Sequence, residues 1–134
     1  MRLHHIGYAV ADIAAYRRNF FDALFAPESV TEPVHDPIQR VRVCFARMGG
    51  GTVIELVEPA GPDSPVARYL GSARGGVYHL CYEVAGLEAA MAAFRAKRCL
   101  PLARPAPAVA FDGRRIVFLM TPQRDLVELL EAAP

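Results

Sequence analysis

The sequence has no large excess of either charge and no long apolar segment. Its 134 residues include 15 Lys and Arg against 14 Asp and Glu, which gives a formal net charge of +1. This balance argues against the basic surface that a nucleic-acid-binding domain presents. No apolar run approaches the roughly 20 residues of a membrane-spanning helix. His4 and His5 interrupt the N-terminus before the apolar core of a signal peptide could form. We therefore expect no nucleic-acid partner, no membrane partner and no signal peptide.

Cysteine is scarce, and its spacing is not that of a disulfide framework. The three residues, Cys44, Cys81 and Cys99, lie far apart, and the sequence contains no CxxC motif. An odd number of cysteines at wide spacing favours reduced thiols and a cytoplasmic location over disulfide bonds. The composition, 53% hydrophobic and 22% charged, is that of a packed globular protein with room for one domain of ordinary size.

What the sequence does contain is an internal repeat. Segment 3–11 matches segment 77–85 at an offset of 74 residues, with His, Tyr, Val and Ala in common. Segment 53–58 matches segment 126–131 at an offset of 73, and both contain Glu-Leu-x-Glu. Further matches pair Phe45 with Phe118, Ile13 with Leu87, and Phe20 with Phe94. Because strands, helices and charged residues all recur in nearly one register, we infer two copies of one structural module.

Each copy is predicted to form a strand, a helix and then three strands. In the first copy, alternation and turn residues predict strands at 3–10, about 29–36, 41–48 and 52–58. The helix is predicted over 13–25, with Asp12 as its N-cap and with Ile13, Phe20 and Leu24 on its buried face. In the second copy, strands are predicted at 77–84, 114–120 and 125–131, an edge strand within 101–107, and a helix at about 87–98.

The predicted fold is therefore α+β, with two tandem βαβββ modules in a single domain, 1–134. Module one covers about 1–60 and module two covers 77–134. Between them, 61–76 contains a short helix from Ser64 to about Leu70 and a linker from Gly71 to Gly76.

Four polar residues stand inside these apolar strands at repeat-related positions: His5, Glu55, His79 and Glu128. A buried carboxylate costs free energy unless a partner compensates its charge. Strand alternation places all four side chains on the sheet face opposite the helices. A pseudo-twofold arrangement of the modules would bring these faces together as a cleft. Each residue alone is more typical of a core histidine or an exposed glutamate. As a set, they predict a site for one divalent metal ion, Zn, Ni, Co, Mn or Fe.

These residues resemble the vicinal-oxygen-chelate superfamily, which includes glyoxalase I, bleomycin-resistance proteins and extradiol dioxygenases. Five segments are similar to the methylmalonyl-CoA epimerases of that superfamily: His-Ile-Gly at 5–7, Ile-Glu-Leu-Val-Glu-Pro at 54–59, Gly-Pro-Asp-Ser-Pro-Val at 61–66, Tyr-His-Leu at 78–80 and Val-Glu-Leu at 127–129. The resemblance covers nearly the whole chain. It implies a glyoxalase-like fold, in which the two modules form a metal-lined cup.

The resemblance also implies a site and an activity. It assigns the metal to His5, Glu55, His79 and Glu128, and it makes Glu128 the catalytic base. The expected enzyme is an isomerase, epimerase or lyase. The metal would polarise a substrate carbonyl while the carboxylate moves the α-proton. The expected substrate is a small molecule, with an acyl-CoA or another acyl thioester as the leading candidate, and the expected assembly is a homodimer.

One departure from the epimerase pattern leaves alternatives open. Where the epimerases carry a second acid/base glutamate, this sequence has Ile38, and Asp36 nearby is expected to serve the turn before Pro37. A one-base isomerase or lyase, or a biosynthetic tailoring enzyme with another substrate, fits this loss. A dioxygenase of the same superfamily commonly has one carboxylate with two histidines. A metal-free binding or resistance protein needs no set of ligands, so the four polar residues argue against it.

Charged residues near the strand ends also recur. Arg40 and Arg42 in the first copy and Arg114 and Arg115 in the second are expected to be solvated, with an anion-binding role as the alternative. The glutamates that close the two Glu-Leu-x-Glu segments, Glu58 and Glu131, are expected to be exposed.

Overall fold

A computed structural model describes residues 1–73 and 75–134. Within them the chain divides into two compact units. The N-terminal unit is His5–Tyr78, and the C-terminal unit combines Met1–His4 with His79–Pro134. Arg74, which belongs to the predicted linker, lies outside the described residues. The single domain expected from the sequence stays a prediction. In the described part of the chain, every helix is too short or too polar to span a membrane.

The N-terminal unit contains one sheet whose order follows the predicted module. Its strands are β1 (Arg2–Ala9, in this unit from His5), β2 (Ser29–Val30), β3 (Val34–Asp36), β4 (Val41–Arg47) and β5 (Val53–Pro59). Their order is β2-β4-β5-β1, and β3 also pairs with β4. β5 is parallel to β1 and antiparallel to β4. The turn between β4 and β5 lies at Gly49–Gly51, as predicted from the three glycines.

The helix between β1 and β2 has three segments: α1 (Ile13–Tyr16), a π-helical turn (Arg17–Phe21) and α2 (Asp22–Phe25). Its predicted extent and its Asp12 cap are confirmed, since the Asp12 carboxylate accepts the Ala15 N–H at 2.7 Å. The helix ends at Ala26, whose φ of +41° is left-handed.

The π-helical turn makes part of the predicted buried face wrong. A π turn uses one residue more than an α turn, so the position that faces the sheet moves along by one. Phe21 is therefore buried beside Ile13, whereas Phe20 and Leu24 are 42% and 65% exposed.

The core of the N-terminal unit lies between this helix and one face of the sheet. It contains Val10, Ile13, Phe21, Cys44, Ala46 and Leu56. Burial raises the pKa of Cys44 to about 11, so its thiol stays protonated near neutral pH. All three cysteines are buried and lie outside disulfide bonds. The last helix of the unit, α3 (Pro65–Ala73), is longer than predicted and includes residues that the sequence assigned to the linker.

The C-terminal unit repeats this arrangement with a regular helix. Its elements are β6 (Gly76–Val84, in this unit from His79), α4 (Leu87–Ala96), β7 (Leu100–Pro101), β8 (Ala106–Pro107), β9 (Arg115–Met120) and β10 (Leu126–Glu131). The sheet order is β6-β10-β9-β7, and β8 also pairs with β9. β10 is parallel to β6 and antiparallel to β9. Two βαβββ modules are thus confirmed, although each predicted single edge strand is divided into two short ones.

The core of the C-terminal unit lies between α4 and one face of its sheet. Its buried members are Val84, Leu87, Met91, Cys99, Val117, Leu119, Val127 and Leu129. Along β10, Val127 and Leu129 belong to this core, and alternation therefore directs Glu128 to the opposite face. The same relation holds along β5, where Leu56 belongs to the core of its unit and Glu55 points the other way.

Candidate functional site

The N-terminal unit brings two of the predicted ligands together on the sheet face that does not carry the helix. β1 and β5 are parallel neighbours, and Gly7 lies opposite Glu55 in their register. His5, two residues before Gly7, shares its face. His5 Nε2 lies 3.2 Å from Glu55 Oε2. The two residues are 1% and 5% exposed, so this polar pair is buried.

The C-terminal unit brings the other two together in the same way. His79 on β6 and Glu128 on β10 are 3% and 2% exposed. His79 Nε2 lies 3.1 Å from Glu128 Oε2. Cys81 lies opposite Glu128 in the parallel register, and it is a small buried residue, as the sequence predicts. All four candidate ligands are therefore buried, and each histidine is paired with the glutamate of its own repeat.

A phenylalanine flanks each pair, a feature that the sequence did not assign to the site. Phe45 lies opposite Glu55 in the β4–β5 register, and Phe118 lies opposite Glu128 in the β9–β10 register. The Phe45 ring meets the His5 ring nearly edge-on, with centroids 5.7 Å apart, and the Phe118 ring meets the ring of His79 at 5.2 Å. Such contacts restrict the orientation of the imidazoles. The match of Phe45 with Phe118 in the repeat was the signal that could have identified them.

The donor atoms of each pair suit a divalent metal ion. Zinc, for example, binds imidazole nitrogen and carboxylate oxygen at about 2.0–2.2 Å, so two such ligands of one ion lie roughly 3 Å apart. The observed separations of 3.2 and 3.1 Å fit this requirement. A carboxylate buried to this extent also gains from a nearby cation, because desolvation penalises its charge. Neutral nitrogen with anionic oxygen is the donor set of borderline and hard divalent ions.

The turn between β3 and β4 contains Asp36 and Ile38. Asp36 is 2% exposed, and its Oδ1 accepts the N–H groups of Ile38 at 2.9 Å and Gln39 at 3.0 Å. This confirms its predicted role as a turn carboxylate. Ile38 is 53% exposed, so the residue at the position of the second acid/base glutamate presents an apolar side chain to solvent.

Repeat-related ion pairs occupy the strand ends in both units. Arg42 Nε lies 3.0 Å from Glu58 Oε1 in the N-terminal unit. In the C-terminal unit, Arg115 Nη2 lies 2.6 Å from Glu131 Oε1, and its Nε lies 3.0 Å from Oε2. Glu58 also accepts the N–H of Ile13, at 2.6 Å, and so links β5 to the start of α1.

These contacts correct two expectations from the sequence. Glu58 and Glu131 are only partly exposed, because each is held by an arginine. Arg114 and Arg115 are also paired, with Glu83 at 2.8 Å and with Glu88 at 2.7 Å. Hydrogen bonds from Arg115 hold the pKa values of Glu88 and Glu131 below their ordinary values. Such pairs offer little free charge to an anionic ligand.

Most of the sequence matches one known family. The family model described as the glyoxalase/bleomycin resistance protein/dioxygenase superfamily matches residues 4–118. The chain belongs to this superfamily. The resemblance stated from the five sequence segments is therefore confirmed.

Relatives of this superfamily chain include named epimerases. The mitochondrial methylmalonyl-CoA epimerase of Bos taurus is 34% identical over 119 residues, covering 88% of this chain and 66% of that protein. The chain thus spans just under two thirds of the length of that relative. The ethylmalonyl-CoA/methylmalonyl-CoA epimerase of Cereibacter sphaeroides is 33% identical over 119 residues, covering 88% of this chain and 87% of that protein.

A solved structure extends the likeness to the fold. A variant of Streptomyces coelicolor methylmalonyl-CoA epimerase, in complex with 2-nitronate-propionyl-CoA, is 30% identical and has a TM-score of 0.82. The match covers 100% of this chain and 99% of that chain. The predicted α+β, glyoxalase-like fold is confirmed.

Proposed function

We propose that this chain is a divalent-metal-dependent enzyme that removes a proton next to a substrate carbonyl, as an isomerase, epimerase or lyase. The observation that carries this proposal is the buried histidine–glutamate pair that occurs once in each unit, at 3.2 and 3.1 Å. We further propose an acyl-CoA or a related acyl thioester as substrate. The names of the relatives, and the CoA ligand of the Streptomyces structure, support this substrate class.

We propose that His5, Glu55, His79 and Glu128 together bind one metal ion. Each pair offers two donor atoms, and catalytic metal sites use about three or more protein ligands. One ion therefore needs both pairs. When bound, the ion would supply Lewis-acid polarisation of the substrate carbonyl, which makes the neighbouring C–H bond more acidic.

Glu128 is the proposed base, a role that the resemblance to the epimerases assigns to it. Its carboxylate would accept the α-proton and return it to carbon. His79, 3.1 Å away, restricts the position of that carboxylate. Phe118 packs edge-on against His79 and limits the rotation of the imidazole in turn. General base catalysis by a positioned carboxylate contributes about 10²–10⁴-fold to the rate.

The turn around Ile38 supports a reaction with a single base. Asp36 is the one carboxylate in turn 36–40, and its Oδ1 already accepts two backbone N–H groups. A single base returns the proton to the face from which it removed it. We therefore expect the enzyme to exchange the α-proton with solvent faster than it inverts the configuration at that carbon.

The first test is the metal content of each chain. Protein purified without chelator and without a histidine tag is analysed by plasma mass spectrometry, beside a Glu128→Ala variant. We expect close to one Zn, Ni, Co, Mn or Fe ion per wild-type chain and a lower content in the variant. Wild-type protein that binds none of these ions, even after reloading, would contradict the metal-centre proposal and favour a metal-free binding protein.

The second test follows the α-proton directly. Methylmalonyl-CoA is incubated with metal-loaded enzyme in D₂O, and the loss of the α-proton signal is compared with inversion at the same carbon. An Ile38→Glu variant restores a carboxylate at an exposed position, so it should fold and should raise inversion relative to exchange. Absence of exchange above the uncatalysed rate, in protein that contains metal, would contradict methylmalonyl-CoA as the substrate while leaving the metal centre intact. The predicted homodimer is checked in the same samples by sedimentation velocity.

A further inference from the structure

The N-terminal unit contains a cavity that the histidine–glutamate pair does not use. Its volume is about 560 Å³, and its lining includes Tyr8, Asp12, Tyr16, Asn19, Phe20 and Gly75. Tyr8 packs against the core on the helix side of β1, and His5 lies on the other side of the same strand. The cavity is therefore separate from the candidate metal ligands of this unit.

Three aromatic rings form a continuous wall of the cavity. Tyr8 and Tyr16 are stacked with centroids 5.8 Å apart, and Tyr16 meets Phe20 at 5.6 Å. Burial, followed by a hydrogen bond between the two tyrosine side chains, raises the pKa of Tyr16 to about 12. Its phenol stays neutral at physiological pH, so the Tyr16 ring is an uncharged surface.

The π-helical turn supplies two of the lining residues, Asn19 and Phe20. Such turns interrupt the regular hydrogen bonding of a helix and are frequent at functional sites. Here the turn buries Phe21 and leaves Phe20 42% exposed at the cavity. A large aromatic side chain with this exposure can stack against a ligand.

The C-terminal unit provides an internal control for this feature. Tyr82 and Phe94 stand at the positions of Tyr8 and Phe20 in the repeat, but Ala90 and Ala93 stand at the positions of Tyr16 and Asn19. The corresponding helix, Leu87–Ala96, is a regular α-helix. Because this module folds without a counterpart of Tyr16 and without the π turn, neither is a requirement of the fold.

The opposite side of the cavity is backbone. Gly75 has a φ of +96°, and a Cβ at this position would lie 2.8 Å from the carbonyl oxygen of Ala9. Only glycine allows so close an approach to the end of β1. Gly75 and Gly76 therefore line this side of the pocket without filling it.

The charges on the lining limit what can bind. Among the described lining residues, Asp12 has the one charged side chain, and its carboxylate disfavours an anion placed directly beside it. The amide of Asn19 offers a donor and an acceptor side by side, the arrangement with which asparagine recognises the edge of adenine.

We propose that this cavity binds an uncharged, planar nitrogen heterocycle of the purine type, stacked on the rings of Tyr16 and Phe20 with its polar edge towards Asn19. This inference does not rest on the proposed function. A free nucleoside and a nucleotide contain the same ring, which is the part that would be recognised. The phosphate groups of a nucleotide would be repelled by the Asp12 carboxylate, so we expect the nucleoside to bind more tightly.

The test uses adenosine as the probe, with saturation-transfer NMR and calorimetry on the full chain. Wild-type protein should bind adenosine saturably. A Phe20→Ala variant should bind roughly fivefold to a hundredfold more weakly, the loss expected when one stacking ring is removed. Leu24→Ala is the matched control, because Leu24 is an exposed apolar residue of the same helix, 65% exposed and absent from the lining.

Two further binding measurements distinguish a nucleoside from a nucleotide as the ligand and test whether this site is independent of the metal ligands. AMP and coenzyme A should bind more weakly than adenosine, and His5→Ala should leave adenosine binding unchanged. A Phe20→Tyr variant, which retains the ring, should keep wild-type affinity. The proposal is overturned if folded wild-type protein shows no saturable adenosine binding, if Phe20→Ala binds as well as Leu24→Ala, or if AMP binds more tightly than adenosine.

Discussion

The N-terminal and C-terminal units share a polar pair and differ in the helix that covers the other face of the sheet. Both contain a buried histidine 3.1–3.2 Å from a glutamate, flanked by an edge-on phenylalanine. Only the N-terminal unit combines a π-helical turn with an aromatic cavity, as far as the described residues extend. The shared features are the histidine–glutamate pairs, both of which the proposed metal centre requires, and the phenylalanine beside each pair. The unshared ones point to a second role in one unit.

The largest expected effect comes from comparing substitutions of the two glutamates, Glu128 and Glu55. Glu128→Gln should lower the rate of α-proton exchange by about 10²–10⁴-fold, since it removes the proposed base as well as a ligand. Glu55→Gln should chiefly weaken metal binding, so saturating metal should restore much more of the exchange rate. Both rates are measured by NMR in D₂O at equal metal occupancy. Equal residual losses in the two variants would show that Glu128 has no role beyond binding metal.

A second comparison concerns the two hydrophobic cores. Leu56 and Leu129 are repeat-related, and both are fully buried. Replacing either with alanine should lower the free energy of unfolding by about 2–5 kcal/mol, the sum of lost burial and a new cavity. Urea denaturation of each variant measures this loss. Leu24→Ala, at an exposed position, should change stability by less than about 0.5 kcal/mol. A loss in only one of the two core variants would mean that the cores differ in how far they can relax.

The strands and the four polar residues were predictable because their signals are local. Alternation along β1, β5, β6 and β10 separates core-facing residues from Glu55 and Glu128 without any knowledge of the fold. The repeat then relates His5 to His79 and Glu55 to Glu128. What alternation cannot supply is the pairing of one histidine with one glutamate, because this depends on which strands are neighbours and in which register.

The π-helical turn was not predictable for a physical reason. Phe20 and Phe21 are adjacent, and helical periodicity accepts either one as the buried residue beside Ile13. The choice depends on the fit of the ring against Cys44, Ala46 and Leu56, which are distant in sequence. The arginine–glutamate pairs at the strand ends were missed for a similar reason, since their partners belong to neighbouring strands.

A third comparison concerns the helix caps. Asp12 accepts the N–H of Ala15, whereas α4 follows Gly86, which offers no side-chain cap. Asp12→Ala should lower the free energy of unfolding by about 0.5–2 kcal/mol. Gly86→Asp should raise it by a few tenths of a kcal/mol, because glycine is itself an acceptable cap. A Cβ at position 86 would lie 3.9 Å from the Ala89 Cβ, which is ordinary contact. Thermal denaturation measures both changes. A destabilised Gly86→Asp variant would indicate that the start of α4 cannot accept the capping geometry of α1.

The smallest expected effect concerns the ion pairs at the strand ends. Arg115 holds the pKa of Glu131 below its ordinary value of 4.5. A carboxyl whose pKa is lowered by folding stabilises the protein above its unfolded pKa, and this contribution is lost as the pH falls through the folded value. Arg115→Gln should therefore move the Glu131 pKa back towards 4.5 and flatten the pH dependence of stability below about pH 4.5. The change in stability should be slight, because solvent and salt screen a pair at the surface.

Carbon-detected NMR titration of the glutamate carboxyls measures this pKa directly. Arg42→Gln is the matched control, because Arg42 occupies the equivalent position and pairs with Glu58 in the N-terminal unit. It should leave the Glu131 titration unchanged. The pKa of Glu88 should also rise in the Arg115→Gln variant, since Arg115 lies 2.7 Å from Glu88 as well. If the pKa of Glu88 rises and that of Glu131 does not, the low pKa of Glu131 arises from another neighbour. The Arg115–Glu131 and Arg42–Glu58 pairs would then be equivalent in sequence position but not in electrostatic role.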